Sequence, residues 1–176
     1  TSDLALAWLR ELQAPQHRCP SPAAARRAAA LRNDLDGFHR AWTQDRPVDA
    51  LLPMSARLRD PRASRSRTLV ESQVVLVDGL RTTSLARTIA DLGAICSADV
   101  VEVALESVLR GDDPRRPDVW HEDRLPAVID IVQANPRVPG HDIARIVLRR
   151  RGDVLPTGSA AETNVWIECR RLGLLS

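Results

Sequence analysis

The 176-residue chain has no lysine and no tyrosine, one phenylalanine (Phe38), one methionine (Met54) and three cysteines. With aromatic residues at 3%, the core must be filled by Leu, Val, Ile and Ala. Trp8, Trp42, Trp120 and Trp166 serve as isolated packing anchors. Cys19, Cys96 and Cys169 are odd in number, far apart and without a CxxC pair. That pattern argues against a disulfide framework or a zinc site and fits a reducing cytoplasm. No stretch approaches the roughly 20 apolar residues of a membrane span, and no signal peptide is recognisable. The expectation is a soluble cytoplasmic protein without a membrane partner.

What is present describes a globular chain: 44% hydrophobic and 27% charged residues, enough for one domain or one domain plus a piece of another. All 25 basic residues are Arg, against 23 acids, for a net charge of +2. Guanidinium groups read phosphates in a bidentate fashion, which brings a nucleic-acid partner to mind. An Ala-, Arg-, Pro- and Val-rich chain without Lys also follows from GC-rich codons, and +2 alone is a weak attractor for a polyanion.

The best-specified stretch runs from Val74 to Gly111. Val74–Val77 is a short β-branched and apolar run, Asp78-Gly79 is a turn dipeptide, and Leu80–Thr82 is a second extended piece. Ser84 or Thr83 caps a helix that places Leu85, Ile89 and Leu92 on one face. Arg87 and Asp91 in that helix have the i,i+4 spacing of a surface pair, worth about 0.2 to 0.5 kcal/mol. Gly93 ends the helix and Ser97 opens another, whose stripe is Val100, Val101, Ala104, Leu105, Val108 and Leu109.

Upstream, Leu4–Leu12 has helical spacing, and Ser21-Pro22 reads as N-cap and first turn of an Ala-rich helix from Ala23 to Leu31. His17 and Cys19 lack partners for a metal site. Val48–Pro53 is a short strand ended by proline. The most basic segment follows, with Arg57, Arg59, Arg62, Arg65 and Arg67 around a single acid, Asp60. On a loop or edge strand these arginines can follow a DNA backbone; they can also be solvated charges that protect a sheet edge. No aromatic residue is interleaved, which disfavours stacking on single strands.

Downstream, Trp120–Gln133 reads as a helix that Pro126 starts or kinks, and His121, Glu122 and Asp123 read as its charged first turn. Asn135–Gly140 is a loop. The helix Asp142–Arg151 points Ile143, Ile146 and Val147 inward, with Arg145, Arg149, Arg150 and Arg151 outside, where the last three suit the helix dipole. A Gly-, Pro-, Thr- and Ser-bearing link at 153–158 separates the last helix, Ser159–Leu172. Ser159 and Glu162 form a capping-box pattern there, with Ala161, Val165, Trp166 and Cys169 on or near one face. The expected fold class is α+β, mainly helical, with a small β-sheet in the N-terminal half followed by a helical C-terminal half.

The motifs VDGLRTTSLARTIADLGA, RVPGHDIARIVLRRRG and TGSAAETNVWIECRRLGL together resemble a family of actinobacterial proteins. In that family an AbiEi-type antitoxin-like region of abortive-infection systems precedes a Vsr-like endonuclease domain of the PD-(D/E)XK fold. The resemblance divides the chain into an antitoxin-like region at 1–152, a linker at 153–158 and the first helix of a truncated nuclease domain at 159–176. It implies a DNA-associated defence or repair protein. Glu162 matches the acidic residue on the first nuclease helix, while the strands whose further acids would hold Mg²⁺ have no counterpart before Ser176. This chain alone is therefore expected to lack nuclease activity and a metal site, with Mg²⁺ belonging to a full-length nuclease. The resemblance also implies double-stranded DNA or a toxin as partner and leaves the oligomeric state open. The alternative function is a non-catalytic protein-interaction module.

Overall fold

The computed structural model describes residues 23–33, 35, 50–54, 63–110, 124–152 and 156–175. The expected helix at Leu4–Leu12, the pair His17 and Cys19, the group His121–Asp123, and Trp8, Trp42 and Trp120 lie outside the described residues. The architecture is α+β, with a five-stranded mixed sheet in the N-terminal half followed by helices.

The sheet comprises β1 (Ala23–Ala24), β2 (Ala50–Pro53), β3 (Ala63–Ser66), β4 (Val74–Val77) and β5 (Leu80–Thr83), in the order β3-β2-β1-β5-β4. Its best-defined unit is the antiparallel β4–β5 hairpin, in which Val77 opposes Leu80. Asp78 and Gly79 both take positive φ, 48° and 74°. This is the requirement of the turns that match strand twist, and it is why an Asp-Gly pair suits the position. Arg81 clamps the hairpin to Glu71 through two hydrogen bonds of 2.7 and 2.8 Å. The guanidinium holds the Glu71 carboxyl below its ordinary range.

The expectation of a helix from Ala23 is corrected at its first turn. Ala23 and Ala24 form the central strand, antiparallel to β2 and parallel to β5, and the helix α1 (Arg26–Arg32) begins after them. Ala24 is wholly buried between Ala50 and Thr82. A small side chain fits a strand enclosed on both sides, and tertiary packing here overrides alanine's helix propensity. The segment RASRSR does contribute a strand, β3, parallel to β2 at the edge of the sheet. With Arg65 and exposed Ser64, that edge is polar and unsuited to pairing with another chain.

Helix α2 (Leu85–Leu92) is capped by Ser84, whose Oγ accepts from the Arg87 backbone N–H at 3.3 Å. It packs against α1, α3 (Ala98–Arg110), α4 (Arg124–Ala134) and α5 (His141–Arg151), so it is the central helix. Ile89 and Leu92 meet Val101, Leu105 and Val108 of α3, Val128 and Val132 of α4, and Ala144 and Val147 of α5 in one apolar core. Pro126 sits in the first turn of α4, where the N–H it lacks has no helical acceptor. Gly93 ends α2 in ordinary right-handed geometry, φ −59°. Its value is therefore its missing side chain. A Cβ on Gly93 would stand 2.2 Å from the carbonyl oxygen of Gly140, at the start of α5.

The last helix, α6 (Ala160–Arg171), docks on α3 through charges more than through its apolar residues. Glu102, Glu106 and Asp99 form an acidic ladder on α3. Arg170 pairs with Glu102, Arg171 with Asp99 at 2.5 Å, and from α5 Arg150 reaches Asp99 at 3.5 Å and Arg151 reaches Glu106 at 3.0 Å. Glu106 also accepts the Thr157 backbone N–H at 3.0 Å. Two expectations are corrected by this arrangement. Arg151 is drawn inward rather than left to the helix dipole, and the inward face of α6 is Thr163 and Ile167. Val165 and Trp166 instead stand 61% and 44% exposed. The Ser159 cap forms as expected, accepting the Glu162 N–H at 3.2 Å. Among the described residues no helix is long and apolar enough to cross a membrane, and Cys96 and Cys169 are free thiols.

Candidate functional site

Arg87 and Asp91 stand on the face of α2 turned toward the end of β3, and they are not a surface pair. Their side chains are 1% and 5% exposed, joined by a 2.8 Å bond from Nε to Oδ2. The rest of the guanidinium is fully engaged. Nη1 donates to the Thr68 carbonyl and to Gln73 Oε1, each at 2.9 Å, and Nη2 donates to Ser66 Oγ at 3.3 Å and Thr68 Oγ1 at 3.2 Å. A single side chain thus fixes the turn that leaves β3. The few tenths of a kcal/mol expected from i,i+4 spacing is the scale of an exposed pair, and spacing alone does not reveal burial. A charge taken out of water and then left unpaired costs several kcal/mol.

The free oxygen of Asp91, Oδ1, lies 3.6 Å from Nε2 of His141, the first residue of α5. His141 is completely buried, and neither of its ring nitrogens has a hydrogen-bond partner among the described residues. Its placement follows from the Gly93–Gly140 contact, which brings the C-terminus of α2 against the N-terminus of α5. Arg145 then pins the loop that precedes α5, donating to the Pro136 carbonyl at 3.2 Å and the His141 carbonyl at 3.3 Å.

Between the two elements held in this way lies a cleft of about 680 Å³. Its lining includes the segment Arg65–Thr68, the loop from Asn135 to Pro139, Arg26 of α1 and Leu51 of β2. Five arginines line it (Arg26, Arg65, Arg67, Arg87 and Arg137), and Asp91 is the one carboxylate among the described lining residues. Since Asp91 is already paired with Arg87, it does not offset the exposed Arg67 and Arg137, which leave the described walls positively charged. Arg67 and Arg137 are exposed and make no hydrogen bond or ion pair among the described residues. Clefts with walls of one charge sign focus the field and raise the local concentration of oppositely charged ligands.

Of the arginines singled out in the sequence, the structure brings Arg65 and Arg67 to this cleft; Arg57, Arg59 and Arg62 lie outside the described residues. Arg26, Arg87 and Arg137 were missed. Their convergence depends on chain packing, and no local pattern around them announces it.

Glu162 does not line the cleft. Its carboxylate reaches back to accept the Gly158 N–H at 2.7 Å, one residue before the cap. Among the described residues no group of three or more His, Cys, Asp or Glu side chains is placed to hold a metal ion. Replacing Glu162 by Ala is expected to lower stability by about 0.5 to 1 kcal/mol, the loss of one exposed charge-assisted hydrogen bond and of a negative charge at a helix N-terminus. Urea denaturation measures this, and an unchanged midpoint would remove the capping role.

Compared with known proteins, the chain matches no family model, and neither curated proteins nor solved structures yield a match.

Proposed function

We propose that this is a DNA-associated protein of the defence or repair type, working in the cytoplasm, which holds nucleic-acid phosphates in the arginine-lined cleft. The observation that carries the reading is the convergence of Arg26, Arg65, Arg67 and Arg137 around one space whose single described carboxylate is already paired. The antitoxin-like and Vsr-like resemblance supports the same reading. It also makes the chain a scaffold whose catalytic core would belong to a longer nuclease.

Duplex binding at 50 and 200 mM salt tests it. Phosphate contacts release counterions, so affinity must fall steeply with salt, and a variant carrying Arg65→Ala and Arg67→Ala is expected to lower the slope of log K against log salt by about 2. Salt-independent binding, or a slope untouched by the double substitution, would remove these residues from the interface.

A second reading, a non-catalytic interaction module for a toxin or another protein, is favoured by the apolar surface at the end of α6. Val165, Trp166, Leu172, Leu174 and Leu175 are all exposed there. The two readings part in one comparison. A chain that ignores DNA at low salt yet leaves its native host with a protein bound supports the second, and a chain that emerges alone and binds DNA supports the first.

A further inference from the structure

We propose that the cleft receives a phosphomonoester of nucleotide size, the phosphorylated end of a DNA strand or a free nucleotide, rather than the internal phosphates of a duplex. The inference deepens the nucleic-acid reading above and rests on it.

Shape is the first argument. The arginines surround a concave space of about 680 Å³, within the roughly 300 to 1,000 Å³ of sites that engulf a small molecule. Internal phosphates of a duplex follow one another along convex ridges, and a protein that tracks them lays its cations along a line. Here the lining arginines other than Arg87 come from three separate places in the chain, Arg26 of α1, Arg65 and Arg67 at the end of β3 and Arg137 of the loop before α5, and border one space.

Charge is the second argument. A phosphomonoester carries about −1.5 to −2 at pH 7, whereas each phosphodiester carries one negative charge. The exposed guanidiniums on the lining, Arg67 and Arg137, favour the more highly charged group, and charge-assisted N–H bonds to phosphate oxygens are the stronger kind. The contacts are assigned to Arg67 and Arg137, since the N–H donors of Arg87 already serve Asp91, Ser66, Thr68 and Gln73.

The lining is the third. Leu51 of β2 and Val138 in the loop add apolar surface beside the cations. A sugar or base can lie against that surface, and inorganic phosphate would leave it unused. Small-molecule sites commonly combine an apolar lining with a few fixed polar groups in this way.

The test uses the full chain and fluorescence anisotropy with duplexes of one sequence, labelled internally, that carry 5′-phosphates, 3′-phosphates or hydroxyl groups at their ends. At least one phosphorylated duplex is expected to bind about tenfold more tightly than the hydroxyl-ended one, the gain of one good charge-assisted contact. Thymidine monophosphate is expected to compete and thymidine to fail. The preference should vanish in a variant with Arg67→Ala and Arg137→Ala, two exposed positions, and persist with Arg149→Ala on the outer surface of α5. Equal affinity for all ends, with salt-dependent DNA binding retained, overturns this inference and leaves the DNA reading standing. Binding of thymidine monophosphate without binding of any duplex supports the cleft chemistry and overturns the DNA reading. Failure of every probe overturns both.

Discussion

Gly140→Ala is expected to destabilise the protein by about 2 to 6 kcal/mol, because two independent costs fall on one methyl group. Gly140 has φ +91°, a region that side chains other than hydrogen rarely adopt, and holding alanine there costs about 1 to 3 kcal/mol. The new Cβ would also stand 2.1 Å from the backbone nitrogen of Ala94 and 2.6 Å from the carbonyl carbon of Gly93. Backbone cannot rotate aside as a flexible side chain can, so α5 must move away from α2, at the further cost of about 1 to 3 kcal/mol typical of overpacking. Gly79→Ala is the control. Its φ is +74° but nothing lies within 4 Å of the added carbon, so it should cost only the left-handed strain, about 1 to 2 kcal/mol. Chemical denaturation of both variants checks the contrast. If Gly140→Ala costs no more than Gly79→Ala, the close helix contact is not as described. The substitution should also weaken ligand binding, because Gly140 anchors the loop that forms one wall of the cleft.

Arg87→Met is expected to cost about 3 to 5 kcal/mol, the range for removing one partner of a buried ion pair. The loss exceeds that of a surface pair because Asp91 would remain a buried carboxylate with only the His141 ring, 3.6 Å from its other oxygen, beside it. The Thr68 carbonyl and the Gln73 oxygen would lose their donor as well. Asp91→Leu should cost a comparable amount for the mirror reason, leaving the guanidinium buried without its counter-ion. In the double variant neither charge is stranded, so the cost should fall well short of the sum of the two. A double-mutant cycle in urea measures that coupling, and additive losses would show that the pair does not act as a unit. Arg87→Met should also blunt the cleft's function without Arg87 touching a ligand, because the segment carrying Arg65 and Arg67 is held by its hydrogen bonds.

Both predictions concern groups whose identity was plain in the sequence and whose importance was not. The Arg87–Asp91 pair was legible from its spacing, but the direction in which that face of α2 points depends on α1, α4 and α5 packing around it. Gly93 was legible as a helix end, yet its φ is one that any residue can adopt. What forbids a side chain is Gly140, 47 positions later in the chain. On sequence alone, Trp166 is a packing anchor by its size and shares a helical face with Val165. The acids of α3 rotate α6 so that Thr163 and Ile167 lie inside and that pair lies outside.

By itself the sequence determined the features that need only neighbours. The β4–β5 hairpin follows from a turn dipeptide that accepts positive φ between an apolar, β-branched run and a second extended piece. The start of α2 at Ser84 and of α6 at Ser159 follows from hydroxyls that reach an N–H three residues on. The helical half follows from apolar periodicity. Tertiary structure alone decided that Ala23 and Ala24 are a strand, that an i,i+4 ion pair is buried, and that arginines from three segments meet around one cleft. Each of these depends on which distant segment is brought alongside. Backbone hydrogen bonding across the sheet, desolvation of charge and focusing of an electric field all arise from that proximity, and no stretch of neighbouring residues encodes it.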